Sequence, residues 1–307
     1  MSRRVRPKLN QNEVFEKVKE DREKILRLEV LDGLAALPSR PVGRYAETKL
    51  SILRSYFYTY SAIVSNHFKH FTYLETCAGP GICMVRHSGR PVLGTPLLAM
   101  TNIPSFTRYV FIEKQRDLAE ALMKRKDRYC PGVNATILNG DCNDHVGSLL
   151  NAVSSRERVF VLMDPEGLEL KWDATIVPAA SHPGSELFIN FPYDMAIKRC
   201  ISSKADVATE LTVTEYMGTD AWKELRDSCE RGEIGTDELR QGLLDMYTDG
   251  LRRLGLREIQ VSKLVHGDSN HPLYYLVSAS RKRFVPKIMK DIMRIGTVQQ
   301  QTLDCGD

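Results

Sequence analysis

The segment Glu75-Thr76-Cys77-Ala78-Gly79-Pro80-Gly81 constrains this chain more than any other. It follows a short apolar run, Phe71–Thr76, that reads as a β-strand, and helical patterning comes after it. Gly79 and Gly81 stand where the chain must turn sharply. Glycine permits positive φ and lets the backbone approach a ligand closely. In open α/β sheets, nucleotides bind at the carboxyl ends of the parallel strands. Taken alone, the loop is equally compatible with a plain tight turn, because Cys77 stands where nucleotide loops usually carry glycine.

The surrounding pattern places that loop in a sheet. Strands are expected at Tyr109–Glu113, Ala135–Leu138, Arg158–Met163 and Ser185–Phe191, with helices at 95–101, 118–129 and 143–153 between them. Such alternation predicts a parallel sheet with helices on both faces. Two amphipathic helices, over 11–36 and 45–67, precede the first strand, and Pro38 and Pro41 separate them. A mostly helical stretch, about 195–254, interrupts the sheet pattern. Two strands near Glu258–Leu264 and Leu273–Ala279 close it, joined through the turn-rich Gly267-Asp268-Ser269-Asn270. An amphipathic helix is expected over Val285–Arg294. The segment Cys83–Leu93 reads as an insertion that lengthens the gap between the glycine loop and Glu113.

Three further positions carry chemistry. Glu113 ends the second strand, where an acidic side chain can accept hydrogen bonds from both hydroxyls of a ribose; a solvated loop glutamate is the alternative. Asp141, with Cys142, follows the third strand and can meet an adenine, but Asp141 also suits a helix N-cap. The strand 158–163 delivers Asp164 and Pro165 to the same edge, placed for catalysis or simply for a turn. The four positions occur in order on successive strands, and together they specify a nucleotide-containing cofactor better than any one does. No G-x-x-x-x-G-K-[ST] phosphate loop occurs. A dinucleotide fits less well, given Cys77 and the place of Asp141.

The bulk properties exclude little. The chain has 307 residues, 42% hydrophobic and 27% charged, with a formal charge of +4. That permits a nucleic-acid partner without demanding one. Seven cysteines, an odd number with no C-x-x-C spacing, argue for reduced thiols rather than a disulfide framework or a zinc ribbon. No apolar run reaches the ~18 residues of a membrane span, and no signal-peptide core follows the basic start. A soluble cytoplasmic protein without a membrane partner is the expectation.

Several other features compete for a role. Asn190-Phe191-Pro192-Tyr193 resembles the N-P-P-Y with which amino-methyltransferases grip a flipped base, but it follows the fifth strand, not the fourth. His67 and His70 read as partners of a helix C-terminus rather than metal ligands, and no metal site is expected. His266, Asp268 and His271 read as a polar surface turn. Arg3, Arg4, Arg6 and Lys8, Lys124-Arg125-Lys126 and Arg281-Lys282-Arg283 are basic clusters that either contact phosphates or form solvated faces.

Glu75-Thr76-Cys77-Ala78-Gly79-Pro80-Gly81 followed by Gly94-Thr95-Pro96-Leu97 resembles the three-Cys-motif partner (TcmP) family, with its D-G-F-A-G-P-G and G-S-P-L. Thr48-Lys49-Leu50, Asp164-Pro165-x-Gly167, Phe188–Pro192 and His271–Ser280 extend the likeness over about residues 45–290. The resemblance implies a Rossmann-like class I methyltransferase fold: a mostly parallel seven-stranded sheet with helices on both faces. Residues 1–43 would form an N-terminal helical extension, and 44–307 the methyltransferase domain with a helical insertion at about 197–254. It implies S-adenosylmethionine as cofactor, held by Glu75, Cys77, Ala78, Gly79, Pro80, Gly81, Glu113, Asp141 and Cys142, with Asp164 and Pro165 at the reacting centre. The expected function is methyl transfer to nucleic acid or a nucleic-acid-associated substrate. The alternatives are a non-catalytic cofactor- or nucleic-acid-binding module with a protein partner, and a nuclease using Asp164 and Glu166 for a metal.

Overall fold

Strands that are apolar along their whole length need cover on both faces, and this chain supplies it. A computed structural model describes residues 11–202, 204–267 and 271–281. In chain order the elements are α1 (Gln11–Leu31), β1 (Arg40–Val42), α2 (Tyr45–Ser65), β2 (Phe71–Glu75), β3 (Ile82–Val85), β4 (Pro91–Leu93), α3 (Thr95–Met100), β5 (Arg108–Glu113) and α4 (Arg116–Tyr129). Then follow β6 (Ala135–Asn139), α5 (Cys142–Asn151), β7 (Arg158–Met163), α6 (Val177–Ser181), β8 (Ser185–Phe191), α7 (Lys198–Cys200), α8 (Val207–Met217), α9 (Trp222–Glu230), α10 (Thr236–Arg253), β9 (Glu258–Val261), β10 (Val265–His266) and β11 (Pro272–Ser280).

Strands β6, β5, β2, β7 and β8 lie side by side in that order, all parallel. β11 pairs antiparallel with β8 and carries β9 and β10 on its outer side. The single strand expected over 258–264 is thus two pieces sharing one edge, with a bulge at Val265/His266, and the sheet counts eight strands.

Alternation along the strands feeds two cores. Phe160, Leu162 and Tyr73 point to one face, where Phe57, Phe106, Tyr109 and Phe111 complete an aromatic cluster. Tyr73 stacks on Phe160 at 5.7 Å, and Phe57 meets Tyr73 edge-on at 5.3 Å. Val159, Val161, Met163 and Leu74 feed the other face, under α5, α6 and α10. The helical stretch after β8 packs on this second face. Its longest helix, α10, buries Leu239, Leu243, Leu244, Tyr247 and Leu251 against the sheet.

Trp172 fixes the fit of these helices. A Cβ at Gly218 would fall 2.3 Å from the Trp172 ring, and one at Gly250 2.7 Å away. Gly218 also ends α8 with φ +69°, a left-handed position. Gly218→Ala is expected to cost about 1–3 kcal/mol through overpacking and backbone strain. A denaturant midpoint matching wild type would contradict this packing.

Several expectations need correction. α1 stops at Leu31, because Gly33 takes φ +72° and turns the chain into a short 3-10 turn over Leu34–Ala36. The segment 83–93 is not a mere insertion. β3 and β4 form a hairpin, and β1 pairs parallel with β3 to make a second, three-stranded sheet. The N-terminal segment thus holds a strand, β1, as well as helix. Arg3, Arg4, Arg6, Lys8, Lys282, Arg283, the turn at 268–270 and the helix expected at 285–294 lie outside the described residues. No described helix is long and apolar enough to cross a membrane.

Candidate functional site at the carboxyl edge of the sheet

The glycine loop emerges from β2, in the middle of the parallel strands. Its backbone is pinned on both sides: Thr76 N–H donates to Leu162 O at 3.0 Å, and Ala78 N–H to Ile112 O at 3.0 Å. Gly79 and Gly81 take φ +66° and +84°, conformations a side chain would strain. A Cβ on Gly81 would touch Leu122 at 3.0 Å and Leu97 at 3.3 Å, so the loop packs tightly on α3 and α4. Gly94 N–H donates to Gly81 O at 2.8 Å and ties the start of α3 to the same turn.

A cleft of about 340 Å³ opens over this loop, within the range of small-molecule sites. Cys77, Ala78, Gly79, Pro80 and Gly81 line it, as do Asp164, Pro165, Glu166 and Asn190 from the ends of β7 and β8. Arg40, Lys49, Arg86 and Tyr274 complete the wall. Glycine backbone and polar side chains thus share one cleft, and the loop fits a nucleotide-type ligand because its two left-handed glycines leave that backbone bare.

The residues expected to hold a cofactor divide into two groups. Gly79, Gly81, Pro80, Ala78 and Cys77 face the cleft. Glu113 is buried behind them; its Oε2 accepts from Gly79 N–H at 2.7 Å and its Oε1 from Gln115 N–H at 2.8 Å. Glu113 thus shapes the loop from behind and does not itself line the cleft. Asp141 caps α5, with Asn143 N–H donating to Oδ1 at 3.0 Å and Lys114 Nζ to Oδ2 at 2.8 Å. Partial burial opposes its charge, but those bonds hold its pKa below the ordinary value. Cys142 is buried beneath the loop. Its hydrogen bond with Cys77, together with burial, pushes the Cys77 thiol well above its usual range.

Glu75 does not line the cleft. It is fully buried, Tyr73 Oη donates to Oε2 at 2.9 Å, and Thr95 Oγ1 donates to Oε1. It anchors the start of α3, a structural duty in place of the ligand contact expected. Burial raises its pKa well above the usual carboxyl value, against the hydrogen bonds from Thr95 and Tyr73. A carboxyl raised in the folded state stabilises below its unfolded pKa, about 4.5, and loses that contribution as pH rises. Glu75→Gln should therefore match wild type near pH 4 and exceed it in urea midpoint at neutral pH; a lower midpoint at neutral pH would contradict the assignment.

Lys49 of α2 is the residue that spacing did not identify as functional, although the motif Thr48-Lys49-Leu50 had marked its position. Its Nζ donates to Asp164 Oδ2 at 2.6 Å, while Asn190 Nδ2 donates to Asp164 Oδ1 at 2.9 Å. Burial disfavours the Lys49 charge, but the charge and hydrogen bond of Asp164 outweigh it and raise the Lys49 pKa. Asn190 and Asp164, from different strands, are thereby joined into one polar cluster. At the mouth, Arg40 of β1 pairs with Glu166. Asp164 and Glu166 thus each have their own cation, and no group of three metal-ligating side chains occurs among the described residues.

Arg125, expected as part of a surface basic cluster, is instead 1% exposed. Its Nη2 and Nε bond Glu29 of α1 at 2.6 and 2.9 Å, and its Nη1 donates to Pro38 O at 2.7 Å and Pro80 O at 2.8 Å. One side chain thus ties α1, the linker after it and the glycine loop together.

No protein-family model matches the chain, and no curated protein matches it by sequence. Among solved structures, it is similar to a Legionella pneumophila protein of the family-model DUF519, at 12% identity, covering 83% of this chain and 92% of that one, with a TM-score of 0.53. It also aligns with an O-methyltransferase from Bacillus cereus in complex with SAH, at 13% identity, 85% and 90% coverage and a TM-score of 0.44. A human methyltransferase 10 domain containing protein aligns at 10% identity, 87% and 100% coverage and a TM-score of 0.43. The strand order and the Legionella likeness establish a Rossmann-like α/β fold for this chain.

Proposed function

We propose that this chain is an S-adenosylmethionine-dependent methyltransferase acting on nucleic acid or a nucleic-acid-associated substrate. The observation that carries the reading is the meeting of a bare, left-handed glycine loop with the Lys49–Asp164–Asn190 cluster in one cleft. Bound there, the cofactor would supply an electrophilic methyl group. Cys77–Gly81 would hold its amino-acid end and Glu113 its ribose, while Asp141 and Cys142 lie on the adenine side. Asp164 and Pro165 would orient the acceptor, since alignment supplies much of such a barrier. Exposed Arg44, Arg86 and Arg90 around the β3–β4 hairpin suit a polyanionic acceptor. The motifs quoted above support placing the chain beside the three-Cys-motif partner family.

A second reading rests on one observation. Both Asp164 oxygens are engaged by Lys49 and Asn190, so no general base stands free beside them. A cofactor-binding module without turnover would look the same. Incubation with labelled S-adenosylmethionine and pools of DNA, RNA and protein separates the two: label transfer supports the enzyme, and binding without transfer supports the module. Absence of any S-adenosylhomocysteine binding at millimolar ligand would sink both.

A further inference from the structure

The ion pair between Arg40 and Glu166 joins the small sheet to the loop after β7 at the mouth of the cleft. Glu166 follows the reacting-centre loop and its side chain is 62% exposed, while Arg40, at 22%, reaches over the glycine loop. A Cβ built on Gly79 would lie 3.6 Å from Arg40 Nε, so the guanidinium stands directly above the bare backbone of that turn. Both residues line the cleft. The pair with Glu166 uses Arg40 Nη1; a guanidinium has five donors, and Nε and Nη2 have no hydrogen-bond partner among the described residues. The deeper charges, Lys49 and Asp164, are spent on each other.

We propose that Arg40 and Glu166 form the recognition site for a zwitterionic α-amino acid group, Arg40 taking the α-carboxylate and Glu166 the α-ammonium. This deepens the methyltransferase reading and rests on it, since the amino-acid end of the cofactor is such a zwitterion. The two charges stand side by side at the cleft mouth, as an α-carboxylate and α-ammonium do. Guanidinium offers a bidentate fork to a carboxylate, and Glu166, whose side chain is open to solvent, can leave Arg40 without being stranded in the interior. Arg40 belongs to β1, which reaches the cleft only by pairing with β3. The N-terminal segment would thereby contribute directly to ligand binding.

The test uses two probes on the full chain in a calorimeter: S-adenosylhomocysteine, which carries the zwitterion, and 5′-methylthioadenosine, which lacks it. Arg40→Ala is expected to weaken S-adenosylhomocysteine about 10- to 100-fold and to leave 5′-methylthioadenosine within about threefold, a result that also shows the variant is folded. Glu166→Gln is expected to weaken S-adenosylhomocysteine alone, by less. Equal loss of both probes in Arg40→Ala, or unchanged S-adenosylhomocysteine binding, overturns the assignment to Arg40. Tighter S-adenosylhomocysteine binding by Glu166→Gln would show Glu166 to be a competitor for Arg40 and overturn its role. Wild type that binds neither probe overturns the methyltransferase reading, and this assignment falls with it.

Discussion

Arg125→Ala is expected to destabilise the protein by about 3–5 kcal/mol, the cost of leaving one partner of a buried ion pair uncompensated. The stranded partner is Glu29, whose side chain is 3% exposed. Its Oε2 would keep only the hydroxyl of Tyr129, at 2.8 Å. The carbonyls of Pro38 and Pro80 would lose their donor as well, and unsatisfied buried acceptors add to the penalty. The effect should not stay local. Pro80 lies inside the glycine loop, so the variant is also expected to bind S-adenosylhomocysteine more weakly. Lys124→Ala, one residue away and exposed, should shift stability by no more than about 0.5 kcal/mol. Urea unfolding of the two variants checks the contrast. A loss below about 1 kcal/mol in Arg125→Ala would show that the pair does not hold α1 to the loop.

Asp164→Asn is expected to lower methyl transfer by about 10²–10³-fold, the typical cost of removing one preorganised charge from a reacting centre. The substitution preserves shape, so positioning by Pro165 and packing of the strand end should persist. It removes the anion that faces Lys49 at 2.6 Å and places an uncompensated ammonium at the bottom of the cleft. Part of the effect will therefore be on stability, and the double variant Lys49→Met/Asp164→Asn separates the two. It should regain stability without regaining transfer, because the charge cost is gone while the anion is still missing. S-adenosylhomocysteine affinity within about tenfold of wild type would confirm that the cleft survives. Full transfer activity in Asp164→Asn would remove Asp164 from the reacting centre.

Much of the sheet was legible because burial on two faces writes itself into composition. Val159–Met163 is apolar without interruption, and a strand buried on both faces has no other option. The loop 75–81 was legible because glycine marks backbone conformations that few other residues tolerate. β1, by contrast, is three residues long and contains a proline. Its pairing with β3 is a long-range event that no local periodicity announces. Cys83–Leu93 looked like an insertion for the same reason. Arg125 departs from the solvated basic face expected of such a tripeptide, because only the position of Glu29, 96 residues earlier, makes its burial tolerable.

Local patterning by itself determined the strand order along the chain, the glycine loop and the acidic positions at successive strand ends. These depend on short-range sterics and on hydrophobic period, both carried within about ten residues. What only the tertiary structure decided is how charges pair. Glu75 turned inward to hold Thr95, Lys49 met Asp164, Asn190 joined them from the next strand, and Arg40 crossed from a separate sheet to Glu166. A charged side chain is silent about its partner in sequence, because Coulomb attraction and desolvation depend on distance and burial. The glycine loop therefore marked where a ligand can sit, and the pairing of charges around it is the basis for proposing what that ligand is.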